Sequence, residues 1–289
     1  MPIHDQGYRH YGGERTLHGR AWWVIARAAI RERLRERRFL ALMLFAWSLF
    51  LMRAVQLYVA STITQAAFLA ANEDTFRQFL LQQRVFAFFV TIFAGAGLIA
   101  DDRAANALQI YLSKPLTRIE YITGKLVALA VFLTAVTWLP AMLLVLLQII
   151  FSGSTDFIAA HLLLIPSITL TCVLQVSLAA LTMLALSSLS RSRRFVSMLY
   201  AGIVFFTAAL GRVLTVATGG YAAGGRVQYA RTPWILVSPE DTLGFVTDAI
   251  FRRGVPPGVP IPLAIAVLVA LFAASILVLE RRVRAVEIV

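Results

Sequence analysis

YITGKLVALAVFLTAVTWLPAMLLVLLQII, Tyr121 to Ile150, carries no charged side chain after Lys125. A run of this length, apolar on every face, exceeds the roughly 20 residues that cross the hydrocarbon of a bilayer as a helix. It shows no strict alternation and is far longer than a barrel strand. Lipid offers no partner to a backbone N–H or C=O, so the stretch reads as a membrane-spanning α-helix whose hydrogen bonds are internal.

Five further runs repeat the pattern: Phe39 to Ala60, Phe79 to Ala100 (strongest from Val85), Ala159 to Ser187, Phe195 to Thr218 and Pro262 to Leu279. The second and sixth runs are short for a span, and the third and fourth are long enough to tilt or protrude. The expected fold is therefore all-α and polytopic: a six-helix transmembrane bundle over 39–279, preceded by a polar segment, 1–38, and followed by a short tail, 280–289. Composition agrees. Of 289 residues, 59% are hydrophobic and only 15% charged, against roughly a quarter charged in soluble domains. The mean hydropathy is +0.76.

The distribution of charge sets the expected orientation. Placing both termini in the cytoplasm puts nineteen of the 27 Lys and Arg residues on that side, including nine arginines before Phe39. Six fall outside (Arg77, Arg84, Arg226, Arg231, Arg252 and Arg253), and Arg53 and Arg212 fall within spans. An excess of basic residues on the cytoplasmic side predicts both termini there, in a bacterial inner membrane. The net charge of +12 is then explained by anionic headgroups, and no nucleic-acid partner is implied. No cleavable secretory signal is expected, because some 38 polar and basic residues precede the first apolar run. Cys172 is alone and within a span, so an intramolecular disulfide is excluded.

Within the amino-terminal segment, Arg20, Arg27, Arg31 and Arg38 fall within about 20° of one helical stripe, opposite Trp22, Ile25 and Ala29. This pattern predicts an amphipathic helix at the membrane interface, with tryptophan at headgroup depth. The run from Arg31 to Arg38 is charged on all sides and is expected to be solvated.

LIADDRAANALQIYLSKPLTRIEYITGK, Leu98 to Lys125, is the other informative stretch. Asp101 has the character of an N-cap, with Asp102 complementing the positive end of a helix dipole. Ala104, Ala107, Leu108 and Tyr111 form one apolar face, and Pro115 stops the helix. Thr117 and Glu120 form a capping box that restarts the chain as the third span, with Leu116 and Tyr121 at the staple positions. The expectation is a short helix, a proline turn and a capped re-entry into the membrane.

This run of acids, small-residue helix, SKPLTR and YITGK resembles the cytoplasmic segment of type-2 ATP-binding-cassette permeases, the membrane subunits of exporters. The likeness extends along nearly the whole chain, through an interfacial helix, six spans and a long segment between the fifth and sixth. It implies that the helix from Asp101, Asp102 and Arg103 to Leu112 is a coupling helix seated in a groove of an ATPase subunit. Leu108, Tyr111 and Leu112 would supply its docking face. Pro115, Arg118, Gly124 and Lys125 match the pattern that follows. The chain has no G-x-x-x-x-G-K-[ST] run, since Gly124-Lys125 is followed by Leu126. The chain is accordingly expected to bind no cofactor itself; ATP and magnesium belong on a separate ATPase. Six spans are half a transporter, so a second permease copy or a related permease is expected as well.

The remaining candidates carry less weight. Arg53 and Arg212 could snorkel to the interface or contact substrate. Gln56, Gln148 and Gln175 could pack between helices or line a pathway. His161 reads as interfacial, and His4, His10 and His18 form no metal pattern. Ser238-Pro239-Glu240-Asp241 is a helix start. Leu243, Val246, Thr247 and Ile250 share one face, so a short outer amphipathic helix is expected there, resembling the re-entrant element of these permeases and serving as an outer gate or a lid. Two other functions fit parts of the pattern. A membrane scaffold or assembly factor driven by a partner ATPase would share the architecture, whereas a lipid-modifying enzyme would need acids or metal ligands inside the spans.

Overall fold

The computed structural model describes residues 21–63, 71–107, 117–153, 157, 160–218, 233–252 and 259–283. Their regular structure is entirely helical, and six helices are long and apolar enough to cross a membrane: Arg37–Thr62, Glu73–Ala104, Arg118–Ser152, Leu164–Leu189, Arg193–Ala217 and Ile261–Arg282. A separate helix, α1 (Ala21–Leu34), precedes them.

Three spans are interrupted. The first is α2 (Arg37–Ala46) and α3 (Ser48–Thr62), broken at Trp47. The second is α4 (Glu73–Val90), a π-helical turn at Thr91–Gly95 and α5 (Gly97–Ala104). The third is α6 (Arg118–Val136) and α7 (Trp138–Ser152), broken at Thr137. The fourth and fifth are single helices, α8 (Leu164–Leu189) and α9 (Arg193–Ala217). A 3₁₀ turn at Pro233–Val237 leads into α10 (Pro239–Ile250), and α11 (Ile261–Arg282) is the sixth span.

Local chemistry explains the helix ends. Asn72 starts α4 with a capping box: its side chain accepts from Thr75 N at 2.9 Å, and Thr75 Oγ1 accepts from Asn72 N at 3.3 Å. The second span thus begins well before Phe79, and its 32 residues are not short. Ser238 caps α10 by accepting from Asp241 N at 3.2 Å, with Pro239 in the first turn and Glu240 and Asp241 at the positive end. Gly153 ends α7 in the left-handed conformation, φ 66°.

The second, third and fourth spans form the centre, with 56, 50 and 61% of their apolar windows buried, against 11, 17 and 17% for the first, fifth and sixth. The outer three therefore present apolar faces, such as Leu44, Phe45 and Val55 or Phe205 and Phe206, to whatever surrounds the chain. One core cluster gathers Phe39, Ile99, Tyr121, Leu129 and Met183 toward the end of the bundle where Asp101 lies. A second gathers Phe76, Phe79, Leu144 and Ile168 toward Glu73. A third packs α10 against α8 and α11 through Leu243, Val246, Leu178 and Leu268.

Candidate functional site

At the Asp101 end, two acids occupy an awkward place. Asp101 and Asp102 lie in the last turns of α5, which ends at Ala104, with Asn106 left-handed at φ 53°. This corrects the expectation that Asp101 caps a new helix. The second span runs straight through it, so both carboxylates face the negative end of a helix dipole. Cations offset that cost. Lys125 Nζ lies 2.6 Å from Asp102 Oδ2, and the Tyr121 hydroxyl donates to the same oxygen at 2.7 Å. Arg33 Nη2 approaches Asp101 Oδ2 at 3.7 Å, while its Nη1 pairs with Glu36 at 2.6 Å.

Arg33 is 5% exposed, so the Arg31 to Arg38 run is not solvated throughout: one arginine turns inward because an acid is waiting there. Its neighbours Arg31, Arg35, Arg37 and Arg38 are exposed.

Two glycines allow this junction. A Cβ on Gly124 would sit 2.7 Å from Trp22 O and 2.9 Å from Ile25 Cβ, so only glycine lets α1 lie this close to α6. A Cβ on Gly97 would sit 2.2 Å from Asp101 Oδ2, in the space that the carboxylate uses to meet Arg33. The apolar side of α1 is thus spent on protein: Ala26 and Ala29 are buried, whereas Trp23 and Val24 stay exposed. Gly124 and Lys125 of the YITGK motif, together with Tyr121, bind α1 to α6 and α6 to α5.

Thr117 and Glu120 form a reciprocal box, with Thr117 Oγ1 accepting from Glu120 N at 3.2 Å and Glu120 Oε2 accepting from Thr117 N at 3.0 Å. Arg118 is exposed and Arg103 half-buried. Leu108, Tyr111, Leu112 and Pro115 lie outside the described residues. The structure therefore fixes both flanks of the predicted docking segment, at Ala104 and Thr117.

In the middle of the bundle, Gln83 is fully buried and donates from Nε2 to Ala46 O at 2.9 Å and to Val136 O at 2.8 Å. These carbonyls sit at the breaks of the first and third spans. Val136 O lacks its usual donor because the residue four positions on is Pro140, which has no N–H. A second-span amide thus satisfies two interrupted neighbours where water is absent. Ser187 serves the second span in the same way, accepting from Ile99 N and Ala100 N at 3.1 and 3.0 Å and donating to Ala96 O at 2.8 Å.

Of the polar candidates in the spans, Arg53 donates to Gln56 and Gln82 at 2.7 and 3.1 Å, and Arg212 is exposed. Gln175 is buried, and its Oε1 has no hydrogen-bond partner. These three are not brought together. His161 pairs with Glu73 at 2.9 Å.

At the Glu73 end, two arginines expected on the outer side of the membrane stand inside α4. Arg77 binds Asp74 at 2.8 Å and also pairs with Asp248 of α10. Arg84 donates to Glu240 O at 2.8 Å and reaches Thr247 Oγ1 at 3.4 Å. Arg77 thus meets α10 near its end, while Arg84, about 10 Å further along α4, spans α10 from Glu240 O to Thr247 Oγ1. Burial pushes the Glu240 carboxyl above its ordinary range, against the pull of Arg84 and with a push from Asp241. The sequence carried no signal for the Arg84 contact, because its acceptor is the main-chain carbonyl of Glu240.

Among the described residues no group of three or more His, Cys, Asp or Glu could hold a metal ion. The clusters are mechanical fastenings between helices. No curated protein matches the chain. A family model, ABC-2 family transporter protein, matches residues 23–283, from α1 to the end of the sixth span. The chain therefore belongs to the ABC-2 family of transporter proteins and is a multi-pass membrane permease of an ABC transporter.

Proposed function

We propose that this chain is one permease half of an exporter driven by a separate ATP-binding-cassette ATPase, in a bacterial inner membrane with both termini cytoplasmic. A second copy or a related permease completes the pathway, and ATP and magnesium bind on the ATPase. The observation that carries this reading is the fastening on both flanks of the segment between Ala104 and Thr117. On one side α5 is tied to α1 and α6 through Asp101 and Asp102; on the other, a capping box fixes the start of α6. A segment held by ion pairs at one end and started by a capping box at the other passes a push from a partner into two spans at once. The apolar residues Leu108, Tyr111 and Leu112 are the docking face, with Asp101, Asp102, Arg103, Pro115, Arg118 and Lys125 framing it. The basic excess near α1 and the ends of the even-numbered spans supports the cytoplasmic placement.

The test is co-purification in detergent with an ATP-binding-cassette subunit. Wild-type chain is expected to bring down a protein that hydrolyses ATP and carries a nucleotide-binding lysine motif. Leu108→Asp and Leu112→Asp are expected to lose it while still inserting in the membrane. Both variants retaining the ATPase at wild-type stoichiometry would refute the docking face.

A further inference from the structure

Three helix ends meet at the Glu73 end of the bundle: the start of α4, the start of α8 and the end of α10. Between them opens a cavity of about 380 Å³. Leu164, Ser167 and Phe251 are its buried lining, and the exposed Leu162 and Leu163 stand on its rim.

The polar groups around this space are unbalanced. Glu73 is the one carboxylate among the described lining residues, and His161 Nδ1 already holds it at 2.9 Å. Arg252, two residues past the end of α10, lines the cavity as well. Among the described residues no acid pairs with Arg252, and Asp248, the nearest acid before it in the chain, is taken by Arg77. Ser167 Oγ reaches Ile250 O at 3.4 Å, long for a hydroxyl donor, so it can turn to a better acceptor. The helix ends add to the imbalance. α4 begins with Asn72, Glu73 and Asp74, and α10 with Ser238, Glu240 and Asp241. α8 begins at Leu164 with no side-chain cap and no acid in its first turn. Its positive end is left to the cavity, where a negative group is favoured.

Ligand pockets are mostly apolar clefts of about 300–1,000 Å³ with a few placed polar groups. This one lies at the small end of that range, which suits a ring or a short chain. Its apolar lining offers nothing to replace the shell of a bare hydrated ion. Its guanidinium and hydroxyl donors call for an acceptor that carries charge.

We propose that the cavity binds a compact amphiphilic anion, a carboxylate on an aromatic ring or short apolar chain. The carboxylate faces Arg252 and the start of α8, and the apolar body lies over Leu164 and Phe251. Bound there, it touches α4, α8 and α10 at once and ties the short helix α10 to two central spans. The site lies at the opposite end of the bundle from the segment between Ala104 and Thr117, and it does not rest on the export reading.

The full chain in nanodiscs of phosphatidylcholine is titrated with para-trifluoromethylbenzoate and with the neutral para-trifluoromethylbenzyl alcohol, and binding beyond that of empty nanodiscs is read by fluorine NMR. Wild type and Arg31→Gln, an exposed arginine at the other end, are expected to bind the benzoate saturably and at least tenfold tighter than the alcohol. Arg252→Asn is expected to lose at least tenfold for the benzoate and nothing for the alcohol; asparagine tolerates the left-handed φ of 53° at this position. Ala160→Trp, at an exposed point of the wall, fills the space and is expected to lose both ligands. It serves if the first variant fails to fold. No saturable binding by wild type, equal affinity for benzoate and alcohol, or wild-type benzoate affinity in either folded variant overturns the proposal. Inorganic phosphate binding as tightly as the benzoate would make this a bare-anion site and overturn it equally.

Discussion

The two ends of the bundle use the same ingredients, arginine or lysine against carboxylates, in opposite electrostatic settings. At the Glu73 end four of the five acids sit well, Glu73 and Asp74 in the first turn of α4 and Glu240 and Asp241 in the first turn of α10, each facing a positive dipole end; Asp248, in the last turn of α10, is the exception and is met by Arg77. Arg77 and Arg84 there act as cross-links, joining partners 171 and 156 residues apart in sequence. At the Asp101 end the acids sit badly, in the last turns of α5, and the cations Arg33 and Lys125 are what make the position tolerable. A cation removed from the first place loosens a contact. A cation removed from the second strands a carboxylate.

The contrast predicts unequal costs. Lys125→Met is expected to have the largest effect, on the order of 3 kcal/mol, because both partners are largely buried and Asp102 loses its counter-charge. The thermal midpoint of the purified chain measures it, and Asp102→Asn in the same chain should restore most of the loss. If the double variant were no more stable than the single, the dipole argument would fail. Gln83→Leu, between the two ends, should cost about 2 kcal/mol by leaving two carbonyls without a donor. Adding Pro140→Ala returns an N–H to Val136 O and is expected to recover about half. Arg77→Met should be mildest, at most about 1 kcal/mol, since Asp248 is 36% exposed and water can replace the arginine. An Arg77 effect as large as that of Lys125 would erase the distinction between the two ends.

The same contrast explains what the sequence could disclose. The six spans, the start of α6 at Thr117 and Glu120, and the start of α10 at Ser238 were legible because their causes lie within a few residues. Asp101 misleads for the same reason. An acid before a small-residue run looks like an N-cap locally, and only Gly97, Arg33 and Lys125, brought in from elsewhere, keep the helix going. The inward turn of Arg33 depends on Asp101, 68 residues away in the chain. Gln83 stood at the edge of an apolar run, and its importance comes from carbonyls freed in two other spans. Pro140 did announce one of those breaks, but a proline within an apolar run shows where a donor is missing without showing which side chain replaces it. Arg77 and Arg84 read as outer charges because the Asn72 capping box, which lengthens the second span, lies before the apolar run begins.

The central claim is that the segment between Ala104 and Thr117 is where an ATPase engages the permease. Photo-cross-linking in intact membranes tests it most directly, with a benzophenone amino acid placed at Leu112 and, as a control, at Phe205 on the exposed face of the fifth span. The account predicts an ultraviolet-dependent adduct at position 112 containing this chain and an ATP-binding-cassette subunit, and no such adduct at position 205. Adducts at position 112 formed only with lipid, or the ATPase captured equally from both positions, would contradict it.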